Sequence, residues 1–382
     1  MSEPIGAKVT DGTWSRIRSI IEPAIGSRAF PGAVVGVSFQ PGTEEVRAFG
    51  RLTYAEDGHP VTAETLYDLA SLTKVVATSG VVMRLVEQGR LVLEQKVSSI
   101  LPRFSGGGRE QITVEQLLTH ASGLPAHVPL YLDWQGRERL VERIAGVPLQ
   151  TAPGVRSEYS DVGFLLLGEV LDRILGVGLE TAVDRFVLTP LAMWSTLYCP
   201  AIDWRERIAP TEVCPWRERL LVGEVHDENA FVLGGVAAHA GLFGTAGDLL
   251  RFGRMMLDGG SVGETQVFAR ETIERFTKRS IIPGSTRALG WDTADITGAV
   301  RSSTPGAAGY SSAGRLFSPR SFGHTGFTGT SLWMDPDREV VLVLLTNRVH
   351  PDRSNDAIRS VRSALADAVA EELDARRADG RE

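Results

Sequence analysis

The sequence predicts an α+β fold in which antiparallel strands from both ends of the chain share one sheet, packed by terminal helices and carrying a mainly helical insertion. Three observations predict it. An amphipathic stretch followed by two β-branched runs opens the chain, two apolar runs and a long Ala/Glu/Arg-rich stretch close it, and the residues between read at helical period. On this reading residues 1–79 and 240–382 make a discontinuous α/β domain, and residues 80–239 make the helical insertion.

Thr13 to Arg28 carries apolar residues at helical spacing. Gly32 to Gln40 and Glu45 to Thr53 alternate as strands around the turn-forming PGTE. Helices are predicted over Leu72 to Gln88, Thr113 to Thr119, Arg137 to Ile144, Asp161 to Leu175, Leu179 to Val187 and Thr245 to Leu257, with Gly/Pro-rich loops between them. Ser302 to Gly314, SSTPGAAGYSSAG, reads as a flexible loop. Ser331 to Met334 and Val340 to Thr346 are strands around Asp-Pro-Asp, and Asn355 to Arg377 is the closing helix.

At 382 residues and 43% hydrophobic, the chain can bury a substantial core. A net charge of -7 without a basic run argues against a nucleic-acid partner. No segment has the roughly 18 consecutive apolar residues of a membrane span, and the first residues lack a secretory pattern, so a cytoplasmic location is expected. Cys199 and Cys214 fit no CxxC pattern and are expected to be reduced thiols. Oligomeric state leaves no signal.

The first chemical signal is Ser71-Leu72-Thr73-Lys74 at the mouth of an apolar helix. The chain has four lysines against 36 arginines, so a lysine is an unusual choice where only surface charge is needed. Positions three apart share a helix face, so the Lys74 amine can meet the Ser71 hydroxyl, and the helix start favours an oxyanion there. A helix-start serine beside a solvated lysine would give the same pattern. As a base, Lys74 must be shifted, because neutralising an ordinary lysine at pH 7 costs about 4.6 kcal/mol.

Two further stretches complete a set. Tyr159-Ser160-Asp161 precedes the periodic helix that follows it, and His324-Thr325-Gly326 stands at the start of the predicted strand Ser331 to Met334. In this order the three resemble the signature of the serine β-lactamase and penicillin-binding protein superfamily, in its class C-like branch of family VIII carboxylesterases, D-alanyl-D-alanine carboxypeptidases and D-aminopeptidases. LLTHASGLP (Leu117 to Pro125) and GLFGTAGDLLRF (Gly241 to Phe252) extend the resemblance over most of the chain. It implies a β-lactamase/DD-peptidase-like fold, an antiparallel sheet flanked by helices plus an all-helical region.

The resemblance also implies roles: Ser71 the acylated nucleophile, Lys74 its proton acceptor or relay, and Tyr159 the group that protonates the leaving atom. Asp161, His324, Thr325, Gly326 and Phe327 would contact substrate, with the N–H groups of Ser71 and Phe327 as the oxyanion hole. Which of Lys74 and Tyr159 is the first base stays open. Asp161 stands where the family usually has Asn and could hold Lys74 as a cation; His324 stands where it usually has Lys and lacks a permanent charge. The expected activity is that of a metal-independent serine acyl-hydrolase with no cofactor, acting on a small ester, amide or peptide, most readily a carboxylesterase. The alternatives are a D-alanyl-D-alanine carboxypeptidase or weak β-lactamase, and a non-catalytic sensor that is acylated or binds ligand. His226, Asp227, Glu228 and His239 lack metal-binding spacing and are expected in a loop over the site, while His120 and His127 are expected to be hydrogen-bonded structural residues.

Overall fold

The computed structural model describes residues 9–295 and 310–378. Its strands are β1 (Gly32–Ser38), β2 (Glu45–Gly50), β3 (Tyr67–Asp68), β4 (Leu197–Tyr198), β5 (Leu242–Gly244), β6 (Asp292–Thr293), β7 (Phe322–Thr325), β8 (Ser331–Asp335) and β9 (Val340–Thr346), besides two short hairpins. Six of them form one antiparallel sheet in the order β6-β7-β8-β9-β1-β2, and β3, β5 and β4 form a second, small one. Strands from the two ends of the chain meet where β1 pairs β9, with Val35 opposite Leu344.

Both central strands are buried along their whole length. Their continuous apolar runs follow from cover on both faces. On one face Val35, Val37, Trp333, Leu342 and Leu344 pack with Trp14, Ile17, Leu365 and Val369 of the terminal helices Asp11–Gly26 and Ile358–Ala378. On the other, Val34, Leu332, Val341 and Val343 join the larger core that runs through the helical region. The helix Ala246–Leu257 lies on that face, closely enough that a Cβ on Gly253 would stand 2.5 Å from a Val341 methyl.

Asp161–Leu175 forms as expected, capped by the Ser160 hydroxyl, which accepts from the Gly163 N–H, and ended by Gly176 in the left-handed region. The expected helix from Leu72 is helical from Leu72 to Glu87, but Lys74–Thr78 is a π-helical turn. Three expectations change. His324 and Thr325 end a strand of their own, β7, and Gly326 begins the turn that leads to β8. Arg270–Thr277 forms a helix where no element is predicted. The closing helix starts at Ile358, because the Asn355 carboxamide instead accepts from the Ala357 N–H and donates to the Arg28 carbonyl. Of the expected loop Ser302 to Gly314, only residues from Tyr310 onward lie within the described residues. Among the described residues no helix is long and apolar enough to cross a membrane.

Candidate active site

The three motifs converge. The Lys74 Nζ stands 3.0 Å from the Ser71 Oγ, and the Tyr159 hydroxyl donates to that same Oγ at 2.7 Å. Lys74 is fully buried, and its ammonium has three acceptors: the Ser71 Oγ, the His239 carbonyl at 3.0 Å and the Asp161 Oδ1 at 2.7 Å, the last a charge contact rather than an aligned hydrogen bond. Thr78, one turn further along the same helix, donates to the Ala238 carbonyl at 2.7 Å, so one helix face fixes the 238–239 segment. The π-turn places Lys74 at this junction, a common position for such irregularities.

Protonation follows from these contacts. Burial opposes the charge on Lys74, but the adjoining Asp161 carboxylate and Tyr159 outweigh it and hold the amine above its ordinary value. Burial raises the Tyr159 phenol, and the positive Lys74 only partly offsets this. At neutral pH the resting site therefore carries an ammonium, a phenol and a serine hydroxyl.

Beside the serine the backbone is strained. Ala70 has φ of +47°, in the left-handed region that a residue with a Cβ rarely adopts. Buried Asp68 holds it there: one carboxylate oxygen accepts from the Ala70 N–H at 2.8 Å and the other from the His226 N–H at 2.7 Å. The 326–330 turn is tied to the same segment, since Thr328 donates to the Asp68 carbonyl at 2.7 Å and Thr330 to the Leu69 carbonyl at 3.0 Å. Gly326 is required by this approach, because a Cβ there would stand 2.5 Å from the Leu69 carbonyl and 2.0 Å from the Thr330 hydroxyl. Among the described residues the N–H groups of Ser71 and Phe327 have no protein acceptor, which leaves both available to an oxyanion.

His324 is buried, and burial together with the nearby Arg287 charge pushes its pKa well down, so it is neutral. Its Nδ1 contacts the Thr325 carbonyl at 2.8 Å and its Nε2 faces Arg287 at 3.5 Å, so the proton sits on Nδ1. Arg287 lies over the Tyr159 ring, its guanidinium carbon 5.1 Å from the centroid, and its nearest carboxylate, Asp292, is 3.8 Å away. Asp68 and Arg287 are the two residues that the sequence reading missed. Each stands alone, outside any motif, although Asp68 is only three residues before Ser71.

Two cavities open at Ser71, Tyr159 and Phe327. One, of about 310 Å³, is walled by Arg287, His324 and Thr325; the other, of about 340 Å³, by His127, Tyr131, Asp161, Asp227 and Glu228. The segment expected as a loop over the site lines the second cavity, although Glu228–Val232 is a short helix capped by Asp227. His226 pairs with Glu212 at 3.0 Å, Asp227 with His239 at 2.8 Å and Glu228 with Arg353 at 2.6 Å, while among the described residues the buried His239 Nδ1 has no hydrogen-bond partner. His120 is a buried structural residue as expected, accepting from the Ser160 N–H at 3.0 Å and packing its ring on Tyr159. His127 departs from the expectation, because it is exposed on the cavity rim.

The Beta-lactamase family description matches residues 17–366. The chain belongs to this family. A β-lactamase-superfamily member, it is a serine hydrolase. It is 34% identical over 317 residues to an Escherichia coli protein named "Putative D-alanyl-D-alanine carboxypeptidase", covering 76% of this chain and 70% of that protein, and 33% identical over 330 residues to a Salmonella typhi protein of the same name, covering 78% and 74%. Among solved structures, EstCE1, "a hydrolase with promiscuous acyltransferase activity", superposes with a TM-score of 0.72 at 21% identity over 94% of this chain and 98% of its own. A penicillin-binding protein homolog from Caulobacter crescentus gives 0.72 at 21% over 95% and 98%. At these identities the two structures establish the β-lactamase fold.

Proposed function

We propose that this β-lactamase-family protein is a carboxypeptidase-type hydrolase, forming an acyl-enzyme on Ser71 and releasing a C-terminal D-amino acid whose carboxylate binds Arg287. Arg287 carries the reading. It supplies, next to Tyr159 and Ser71, the permanent positive charge that neutral His324 does not, and so a partner for a substrate carboxylate. The names of the Escherichia coli and Salmonella typhi relatives agree with it.

In acylation, Lys74 acts once its ammonium, held charged by Asp161, has lost a proton to solvent: the free amine takes the Ser71 proton as Oγ attacks the scissile carbonyl. The N–H groups of Ser71 and Phe327 hold the oxyanion. Tyr159 donates its proton to the departing amine nitrogen as the C–N bond breaks, and Lys74 restores it. Water then attacks the ester carbonyl and Ser71 leaves as the hydroxyl. The test compares D-alanine release from an N-acyl-D-Ala-D-Ala peptide with hydrolysis of short-chain p-nitrophenyl esters and nitrocefin. Peptide release is expected to lead, and Arg287→Gln to raise KM for the peptide about tenfold while sparing the esters. Ester turnover far above peptide release, with no effect of Arg287→Gln on the peptide, would return the function to a carboxylesterase.

A further inference from the structure

The arginine-walled cavity does not end at Arg287. It continues past Thr325 and Gly326 to the first two turns of the 21-residue helix Ile358–Ala378, where Arg359 and Arg362 line it together with Arg348. Its lining holds four arginines against two carboxylates, Asp292 and the exposed Asp356. Among the described residues Arg348, Arg359 and Arg362 have no carboxylate partner within ion-pair distance. Arg348 spends its donors on the carbonyls of Phe327, Arg353 and Asn355.

Arg362 is the clearest anomaly. It is 9% exposed, donates to the Gly326 carbonyl at 2.6 Å and the Thr330 carbonyl at 2.8 Å, and leaves its buried Nε without a partner. Burial, reinforced by the charges of Arg348 and Arg359 against the opposing influence of Tyr310, pulls its guanidinium down to about 9. A buried cation bonded only to carbonyls is an uncompensated charge. The helix start adds the positive end of its dipole to the same wall, the Arg359 N–H itself donating to the Asp356 carbonyl at 3.1 Å. Arg359, on the first turn, is exposed and lines the cavity, its guanidinium carbon 5.6 Å from the centroid of the Tyr310 ring.

We infer that this cavity binds two carboxylates at once, so that the preferred leaving residue is an acidic D-amino acid: its α-carboxylate lies at Arg287, and its side-chain carboxylate at Arg359 and the helix start, above Arg362. The second position extends the carboxypeptidase reading, on which its substrate assignment rests. The binding itself is tested apart from turnover, by the rate at which a fluorophosphonate labels Ser71 in the presence of glutarate or butyrate. Glutarate is expected to protect at about tenfold lower concentration than butyrate, and Arg359→Gln and Arg359→Glu to abolish that advantage while leaving butyrate protection unchanged. Equal protection by the two acids, or an advantage that survives both variants, overturns the inference. In the peptide assay, D-glutamate is expected to be released from an N-acyl-D-Ala-D-Glu peptide with about tenfold higher kcat/KM than D-alanine from its D-Ala-D-Ala counterpart, and equal values overturn the substrate assignment. Release from neither peptide would count against the carboxypeptidase reading and its acidic leaving residue, with the protection experiment still deciding whether two carboxylates bind.

Discussion

Replacing Asp161 by Asn tests the protonation of the site. In the native protein the Asp161 carboxylate lies 2.7 Å from the Lys74 ammonium and holds its pKa above the ordinary lysine value despite complete burial. At that distance and an effective dielectric of about 20 the attraction is roughly 6 kcal/mol, an upper bound because Asp161 is partly solvated. Burial opposes the charge and persists in the variant. A group with a raised pKa stays protonated until pH exceeds that value, so acylation in the native protein should climb with pH on a limb lying above neutrality. Asp161→Asn is expected to move that limb down in pH and to raise acylation at pH 7 by about tenfold. The assay is the pH dependence of the second-order rate of Ser71 acylation by nitrocefin or penicillin, followed by stopped flow or intact mass. A limb that stays in place would refute the idea that the ion pair sets the base.

Asp68→Ala leaves the N–H groups of Ala70 and His226 without an acceptor in a buried turn; a loss of about 2–4 kcal/mol in urea unfolding and at least a tenfold fall in Ser71 labelling are expected, and unchanged labelling would remove Asp68 from the positioning of the nucleophile. Gly326→Ala forces a methyl against the Leu69 carbonyl and Thr330 hydroxyl, so both the thermal midpoint and Ser71 labelling should drop; native-like values for both would show that the 69–70 and 326–330 segments are not locked together.

Much of the fold was legible because period and capping agreed. Asp161–Leu175 was read to the residue from an apolar stripe that begins after Ser160 and stops at Gly176, and Val340–Thr346 from an unbroken apolar run. The π-turn at Lys74–Thr78 was not legible, because one wider turn hardly disturbs the apolar pattern of a buried helix. Strand β7 was missed for a different reason: four residues containing Gly323 and His324 have little β-propensity, and their place is set by pairing with β8, Gly323 opposite Trp333. In the site, Ser71, Lys74 and Tyr159 were readable because their spacings are local and recur as motifs. Asp68 and Arg287 were not, since each acts through tertiary contacts to residues far along the chain, Asp68 with His226 and Arg287 with Tyr159 and His324. Asp161 was read correctly as a charge that could hold Lys74, a consequence of its position one residue into a helix facing the site.

The account rests on the Ser71 hydroxyl sharing one pocket with the Lys74 amine and the Tyr159 phenol, and covalent labelling addresses that most directly. Intact-protein mass spectrometry with peptide mapping after fluorophosphonate treatment should show a single adduct on Ser71, absent from a folded Ser71→Ala variant and slowed at least a hundredfold in Lys74→Ala. An adduct on another residue, or equal labelling of Ser71→Ala, would contradict the assignment.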